Sequence, residues 1–178
     1  AEQLCMTSQA LEELVFGGES GRQAQLGQID EAEQWAYACQ QTGWPVERVA
    51  EFRAQFFAGD RLDTGLLAFI NNLHQDYKTG IISNALSRTR ALIEGPWAMG
   101  TLFDTIVLSA EVGVMKPDPR IYLLALQQLA VQPERAVFID DFEHNIAGAQ
   151  AIGMNGIHFR SPAQLVADLG ALLDSAGA

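Results

Sequence analysis

The chain has only two cysteines, three histidines and 11 lysines and arginines in 178 residues. Each shortage excludes something. Cys5 and Cys39 show no Cys-x-x-Cys spacing and no neighbouring histidine cluster, which argues against a disulfide scaffold or a zinc site and leaves two ordinary reduced thiols. The basic residues face 22 Asp and Glu, a formal charge of -11, and no basic block offsets it. Nucleic acid and anionic membrane surfaces are therefore not expected partners. No apolar run approaches the roughly 20 residues of a membrane span, and no basic start with an apolar stretch suggests a secretory signal. These readings predict a soluble, cytoplasmic protein.

What is abundant is apolar surface. With 48% hydrophobic residues the chain can form one well-packed α/β domain with a small appendage. Residues 1–75 read as helices and turns. "SQALEELVF" has helical apolar spacing and "GGESG" is expected to stop it. "IDEAEQWAYACQQTG" starts on Asp30 as N-cap, with Glu33 three residues later, and stops at Gly43. "WPVERVAEFRAQFF" places Pro45 in a first helical turn, and "DTGLLAFINNLHQDYKTG" reads as a helix from about Thr64, closed by Gly80.

From residue 76 to 178 the pattern becomes strand, helix, strand. "GIISNA", "DTIVLSAE", "AVFIDD" and "NGIHFR" are short apolar strands, separated by the helical "LSRTRALIEG", "DPRIYLLALQQLA" and "FEHNIAGAQAIG". A last helix, "SPAQLVADLGALLDSAG", starts on Ser161 and Pro162. Short, near-continuous apolar strands between helices predict a Rossmann-like parallel sheet covered on both faces. Ligands bind such sheets at the C-terminal ends of the strands.

That rule selects three elements: Ser83 and Asn84 after the first strand, Lys116 after the second, and Asp140 and Asp141 after the third. A hydroxyl with backbone N–H groups can hold phosphate oxygens, and a lysine can neutralise their charge. Adjacent carboxylates suit Mg²⁺, which takes one or two carboxylates and fills its other positions with water and substrate oxygens. Singly, each element also reads as a turn, a solvated loop lysine or a helix N-cap. Their order on one rim favours a site for phosphate and metal.

"IISNA", "SAEVGVMKPDPRIY" and "VFIDDFEHNIAGAQAIGM" resemble, in order and spacing, the second, third and fourth motifs of the haloacid dehalogenase (HAD) superfamily, in its subgroup with a helical cap. The resemblance implies an HAD-like α/β core over residues 76–178 and a cap over 1–75. It also implies that Ser83 binds the transferring phosphoryl group with Asn84 beside it, and that Lys116 stabilises charge and orients the nucleophile. Asp141 and Asp140 would hold Mg²⁺, with Asn145 supporting the metal loop.

The family opens with a strand ending in Asp-x-Asp, whose first Asp attacks phosphorus and whose second serves as acid and base. This chain opens directly on cap-like helix, so the central first strand is missing. Asp104 begins a strand at the opposite end of the sheet, Asp60 and Asp63 read as turn and cap residues, and Asp118 caps a helix; none replaces the nucleophile. Three outcomes are expected for the gap: the flanking strands close up and pair, a second subunit fills it in a swapped or intertwined homodimer, or the chain is truncated. The functional expectation is a Mg²⁺-dependent phosphatase acting on a small phosphorylated substrate through an atypical or rebuilt site. The alternative is an inactive family member that binds phosphate or a partner. Dehalogenation of 2-haloacids fits the paired Asp less well. Trp35, Tyr37, Trp44, Arg53 and Phe57 are candidates for a substrate wall, although helical spacing makes the aromatic ones ordinary cap core. His74, His144 and His158 are isolated from one another in sequence and receive no catalytic role.

Overall fold

In the computed structural model, which describes residues 6–176, apolar positions at helical spacing close four helices on one another. These are α1 (Ser8–Phe16), α2 (Gly18–Gln25), α3 (Glu31–Thr42) and α4 (Val49–Phe56). Leu11, Val15, Ala24, Trp35, Ala38, Cys39 and Phe52 form one buried cluster, with the Trp35 ring edge-on to Phe52, Phe56 and Phe57. Burial pushes the Cys39 thiol pKa up; Cys5 lies outside the described residues. Asp30 and Glu33 form the expected capping box, and Gly43 closes α3 in the left-handed region at φ 69°.

Three sequence readings need correction. "GGESG" does not end the helical segment. Gly17 closes α1, but the next helix starts at Gly18, and its polar sequence "GESGRQAQ" hid it from an apolar-periodicity reading. Pro45 stands before a 3₁₀ turn, Val46–Arg48, and not inside the α-helix that follows. The next helix, α5 (Thr64–Leu73), ends well before Gly80. Thr79 draws the chain out of it, since its N–H donates to Asp104 Oδ2 (2.8 Å) and its hydroxyl to the Leu102 carbonyl (2.6 Å). Gly80 instead opens the first strand.

The remaining elements are β1 (Gly80–Ser83), α6 (Thr89–Glu94), β2 (Thr105–Leu108), α7 (Ser109–Val112), α8 (Pro119–Leu129), β3 (Val137–Asp140), α9 (Glu143–Gln150), β4 (Asn155–His158) and α10 (Pro162–Ala176). Side chains alternate across the strands and sort the helices into two layers. Ile82, Val107 and Phe138 face Ile121, Tyr122, Ala125, Leu126, Ile146 and Ala149 of α8 and α9. On the opposite face, Ile81, Ile106 and Leu108 pack with Ile93 of α6. Val137, Ile139 and Ile157 pack with Leu165 and Leu169 of α10 and with Leu66, Phe69 and Leu73 of α5. The architecture is α/β with parallel strands covered on both sides, as the strand pattern predicts. Although α5 precedes residue 75, its apolar face belongs to this packing and not to the helical cluster.

Among the described residues the strands form two separate parallel pairs, β1 with β2 and β3 with β4. Direct pairing of β1 with β3, one of the expected outcomes, does not occur. Among the described residues each keeps its other edge free of strand pairing, while α8 and α9 pack on the two pairs in one shared core and hold them in one body. The helical cluster sits at the C-terminal end of β2. Gly27, at φ 68°, lies so close to α7 that a Cβ there would stand 2.1 Å from the Ala110 carbonyl oxygen. Among the described residues no helix is long and apolar enough to cross a membrane.

Candidate active site

The C-terminal ends of β1 and β3 meet through one residue. Lys116, in the loop between α7 and α8, extends its ammonium to Asp140 at the end of β3, with Nζ 2.6 Å from Oδ2. Both side chains are nearly buried, at 10% and 5% exposure. The Lys116 Nζ also lies 5.5 Å from the centroid of the Phe138 ring.

The loop that carries Lys116 is fixed from the β1 side. Asn84 receives the Lys116 N–H on Oδ1 (2.7 Å) and donates Nδ2–H to the Lys116 carbonyl (3.0 Å). The sequence sets Asn84 beside Ser83, the expected phosphoryl-binding residue; both ends of its amide lie on the Lys116 backbone, where it positions the lysine. Ser83, just before it, is half-buried, and its hydroxyl is free of hydrogen bonds to described residues. That hydroxyl can donate to an incoming oxyanion.

Asp140 accepts hydrogen bonds from three donors. Besides Lys116, its Oδ1 takes the Phe142 N–H and the Asn145 Nδ2–H, each at 2.9 Å. Burial alone would raise its pKa; the hydrogen bonds from Lys116, Asn145 and the Phe142 N–H outweigh it and hold the carboxyl below its ordinary value. Asn145 is itself held beneath the rim, because the buried Tyr122 hydroxyl donates to its carbonyl (2.8 Å). Burial, with the nearby Asp140 charge, pushes the Tyr122 phenol up to about 12, so it remains a donor. Neither this Tyr122 support nor the grip of Asn84 was read from the sequence. A lone Tyr in a helix and an Asn in a turn carry no such signal.

Asp141 differs from its neighbour. It is exposed, its carbonyl pairs with His158 Nε2 (2.9 Å), and its carboxylate has no partner among the described residues. Because a carbonyl only accepts, His158 carries its proton on Nε2. His144 stacks obliquely on Phe142, and His74 shares Nδ1 with the Thr79 hydroxyl at the far end of the strands, beside Asp104. Asp118 caps α8 and Asp63 caps α5, as expected. Trp35, Trp44 and Phe57 pack in the helical cluster, and Arg53 is ion-paired to Glu31.

The donor set allows a test for Mg²⁺. No group of three His, Cys, Asp or Glu side chains converges among the described residues. Asp140 is committed to three donors, which leaves Asp141 as the available carboxylate. One carboxylate suffices for an ion that keeps most of its positions for water and substrate oxygens, so the rim fits Mg²⁺ through Asp141. Beside Asp140, to which its Nδ2 donates, Asn145 keeps its Oδ1 buried with no hydrogen-bond partner among the described residues, a polar atom left uncompensated under the rim.

Comparison with known proteins gives concordant results. Residues 1–153 match the family model described as haloacid dehalogenase-like hydrolase. Mouse acyl-CoA dehydrogenase family member 10 is 44% identical over 71 residues, 40% of this chain and 7% of that protein. The chain thus spans a minor part of that relative's length. The sesquiterpene phosphatase astK of Aspergillus oryzae is 26% identical over 145 residues, 81% of this chain and 74% of that protein. Among solved structures, an HAD family enzyme from Bacteroides thetaiotaomicron, in complex with magnesium and inorganic phosphate, aligns with a TM-score of 0.70 at 21% identity. That alignment covers 86% of this chain and 81% of the other. At such identity the likeness shows the fold.

Proposed function

Since this chain belongs to the haloacid dehalogenase-like hydrolase family, we propose that its rim handles the phosphoryl group of a small phosphorylated metabolite in a Mg²⁺-dependent phosphatase. The observation that carries this reading is the buried Lys116–Asp140 pair, joined to β1 through Asn84 and flanked by the Ser83 hydroxyl and Asp141 carboxylate, both without partners among the described residues. A cation, a hydroxyl and a free carboxylate on one rim suit a phosphate ester and a hard metal ion. The phosphatase name of the Aspergillus relative and the magnesium and phosphate bound by the Bacteroides structure support the same chemistry.

In this reading Ser83 donates its O–H to a phosphoryl oxygen, and Lys116 neutralises charge that grows there, a form of electrostatic stabilisation. Asp140, Asn84 and Asn145 position these groups. Asp141 would hold Mg²⁺, which when bound polarises the phosphoryl oxygens.

A second reading has its own observation. Asp140, held by Lys116, Asn145 and the Phe142 N–H, is poorly placed to attack phosphorus, and among the described residues no Asp-x-Asp strand stands on the rim. The rim then binds phosphate without turning it over. Hydrolysis of a generic aryl phosphate, with Mg²⁺ and with EDTA, separates the two. Mg²⁺-dependent turnover that disappears in Asp141→Ala supports the phosphatase; folded protein that binds phosphate without turnover supports the binding protein.

A further inference from the structure

The helical cluster buries one carboxylate, that of Glu31, that also takes a partner outside the cluster. Glu31 begins α3, yet the capping of that helix is done by Asp30 and Glu33. Its carboxylate points elsewhere and is only 3% exposed. A buried carboxylate is costly unless several donors compensate it. Three do. Oε1 accepts the indole N–H of Trp35 (3.1 Å) and pairs with Arg53 Nη2 (3.0 Å), both within the helical cluster. Oε2 accepts the backbone N–H of Arg88 (2.9 Å), which lies in the loop leaving β1.

That loop leads to the rim. Arg88 is tied to Glu31, and Leu86 is buried in the helical cluster. Ala85 exchanges hydrogen bonds with the Ser109 hydroxyl, its N–H donating to Oγ (2.9 Å) and its carbonyl accepting from it (3.3 Å). Asn84 grips both backbone groups of Lys116. Five consecutive residues thus connect a carboxylate of the helical cluster to the backbone of the rim's lysine. A hydrogen bond from a backbone N–H to a charged acceptor is among the stronger ones available to such a loop.

We propose that Glu31 is a positioning residue, which latches the helical cluster to the 84–88 loop and through it fixes the backbone of Lys116. The latch has a bearing on catalysis or binding only through the phosphate-handling reading of Lys116. The latch itself is a mechanical claim, and its test does not depend on that reading.

Amide hydrogen exchange on the full chain tests it, comparing wild type with Glu31→Ala and Glu31→Gln. In Glu31→Ala the Arg88 and Lys116 amides should both exchange faster, by about tenfold or more, while the slowest amides of β2 and β3 keep their rates. Glu31→Gln, which retains an acceptor for the Arg88 N–H but loses the charge facing Arg53, should show the same two amides moving together by a smaller factor. If Glu31→Ala fails to fold, Glu31→Gln alone decides. A purely structural role would raise exchange at Arg88, or throughout the helical cluster, with Lys116 within about twofold of wild type, and would overturn the proposal. So would unchanged exchange at both amides. Inorganic phosphate affinity, measured separately on wild type, reports on the site, so loss of either claim is visible without the other.

Discussion

The Lys116 ammonium and the Asp140 carboxylate lie 2.6 Å apart, nearly out of water, and tie the loop before α8 to the end of β3. Neither β1 nor β3 pairs with the other, so this ion pair and the Asn84 amide carry the polar link between the two strand pairs at the rim. Its electrostatics set a pH dependence. The folded pKa of Asp140 is depressed below its unfolded value, near 4 for a free Asp. The group therefore contributes stability that is fully present above about pH 4 and is lost as pH falls through the folded value. Urea unfolding across acid pH should show wild type losing stability there and Asp140→Asn losing less. At pH 7, Asp140→Asn should be destabilised by about 3–5 kcal/mol, because it leaves a buried lysine without its counter-charge.

Asn84 provides a second test of the same link. Asn84→Ala removes both hydrogen bonds to the Lys116 backbone and leaves a donor and an acceptor without partners, a loss of about 1–3 kcal/mol. Asn84→Asp is isosteric and can still accept the Lys116 N–H. It sets a carboxylate oxygen against the Lys116 carbonyl, so it should be no more stable than Asn84→Ala. Recovery of wild-type stability by Asn84→Asp, measured by the same urea titration, would contradict the assigned geometry.

Gly148 shows how closely α9 approaches the lysine loop. A Cβ at this position would meet the Pro117 carbonyl oxygen at 2.8 Å and the Pro117 Cβ at 2.9 Å. Alanine is the better helix former by about 1 kcal/mol, yet the contact is with backbone and a rigid ring, neither of which can swing aside. Gly148→Ala should therefore destabilise by about 1–3 kcal/mol, with thermal unfolding as the measurement. A stabilised variant would show that the loop yields.

The first three strands and their rim were legible because each is a short run with β-branched or aromatic residues, and a polar residue follows it. The caps at Asp30, Asp63, Asp118 and Ser161 were legible for the same local reason: their signals lie within a few residues. Helix α2 was not, since "GESGRQAQ" carries almost no apolar periodicity and folds by lying on its neighbours. Longer-range features escaped too. That Asn84 holds Lys116, 32 residues on, and that Glu31 reaches Arg88, 57 residues on, depend on which elements the fold brings together. The difference between Asp140 and Asp141 has the same origin: adjacent in sequence, one is drawn inward by three donors and the other faces water.

Because β1 and β3 have an edge free of strand pairing among the described residues, we propose that two copies of the chain assemble, with an extended segment of one pairing in the other. Sedimentation equilibrium should then give twice the chain mass of 19.4 kDa. A monomer at every concentration tested would remove the dimer from the account.

Calorimetric titration with inorganic phosphate tests the central claim most directly, using wild type, Asp141→Ala and the paired variant Lys116→Met with Asp140→Asn. The paired variant removes both charges together, which limits the stability loss that follows from leaving one buried alone. A chain of net charge -11 repels phosphate in general, so measurable binding requires a site. The account predicts saturable binding that Mg²⁺ strengthens in wild type, that loses its Mg²⁺ dependence in Asp141→Ala, and that disappears in the paired variant. Equal binding by all three proteins, or none by folded wild type in the presence of Mg²⁺, would contradict it.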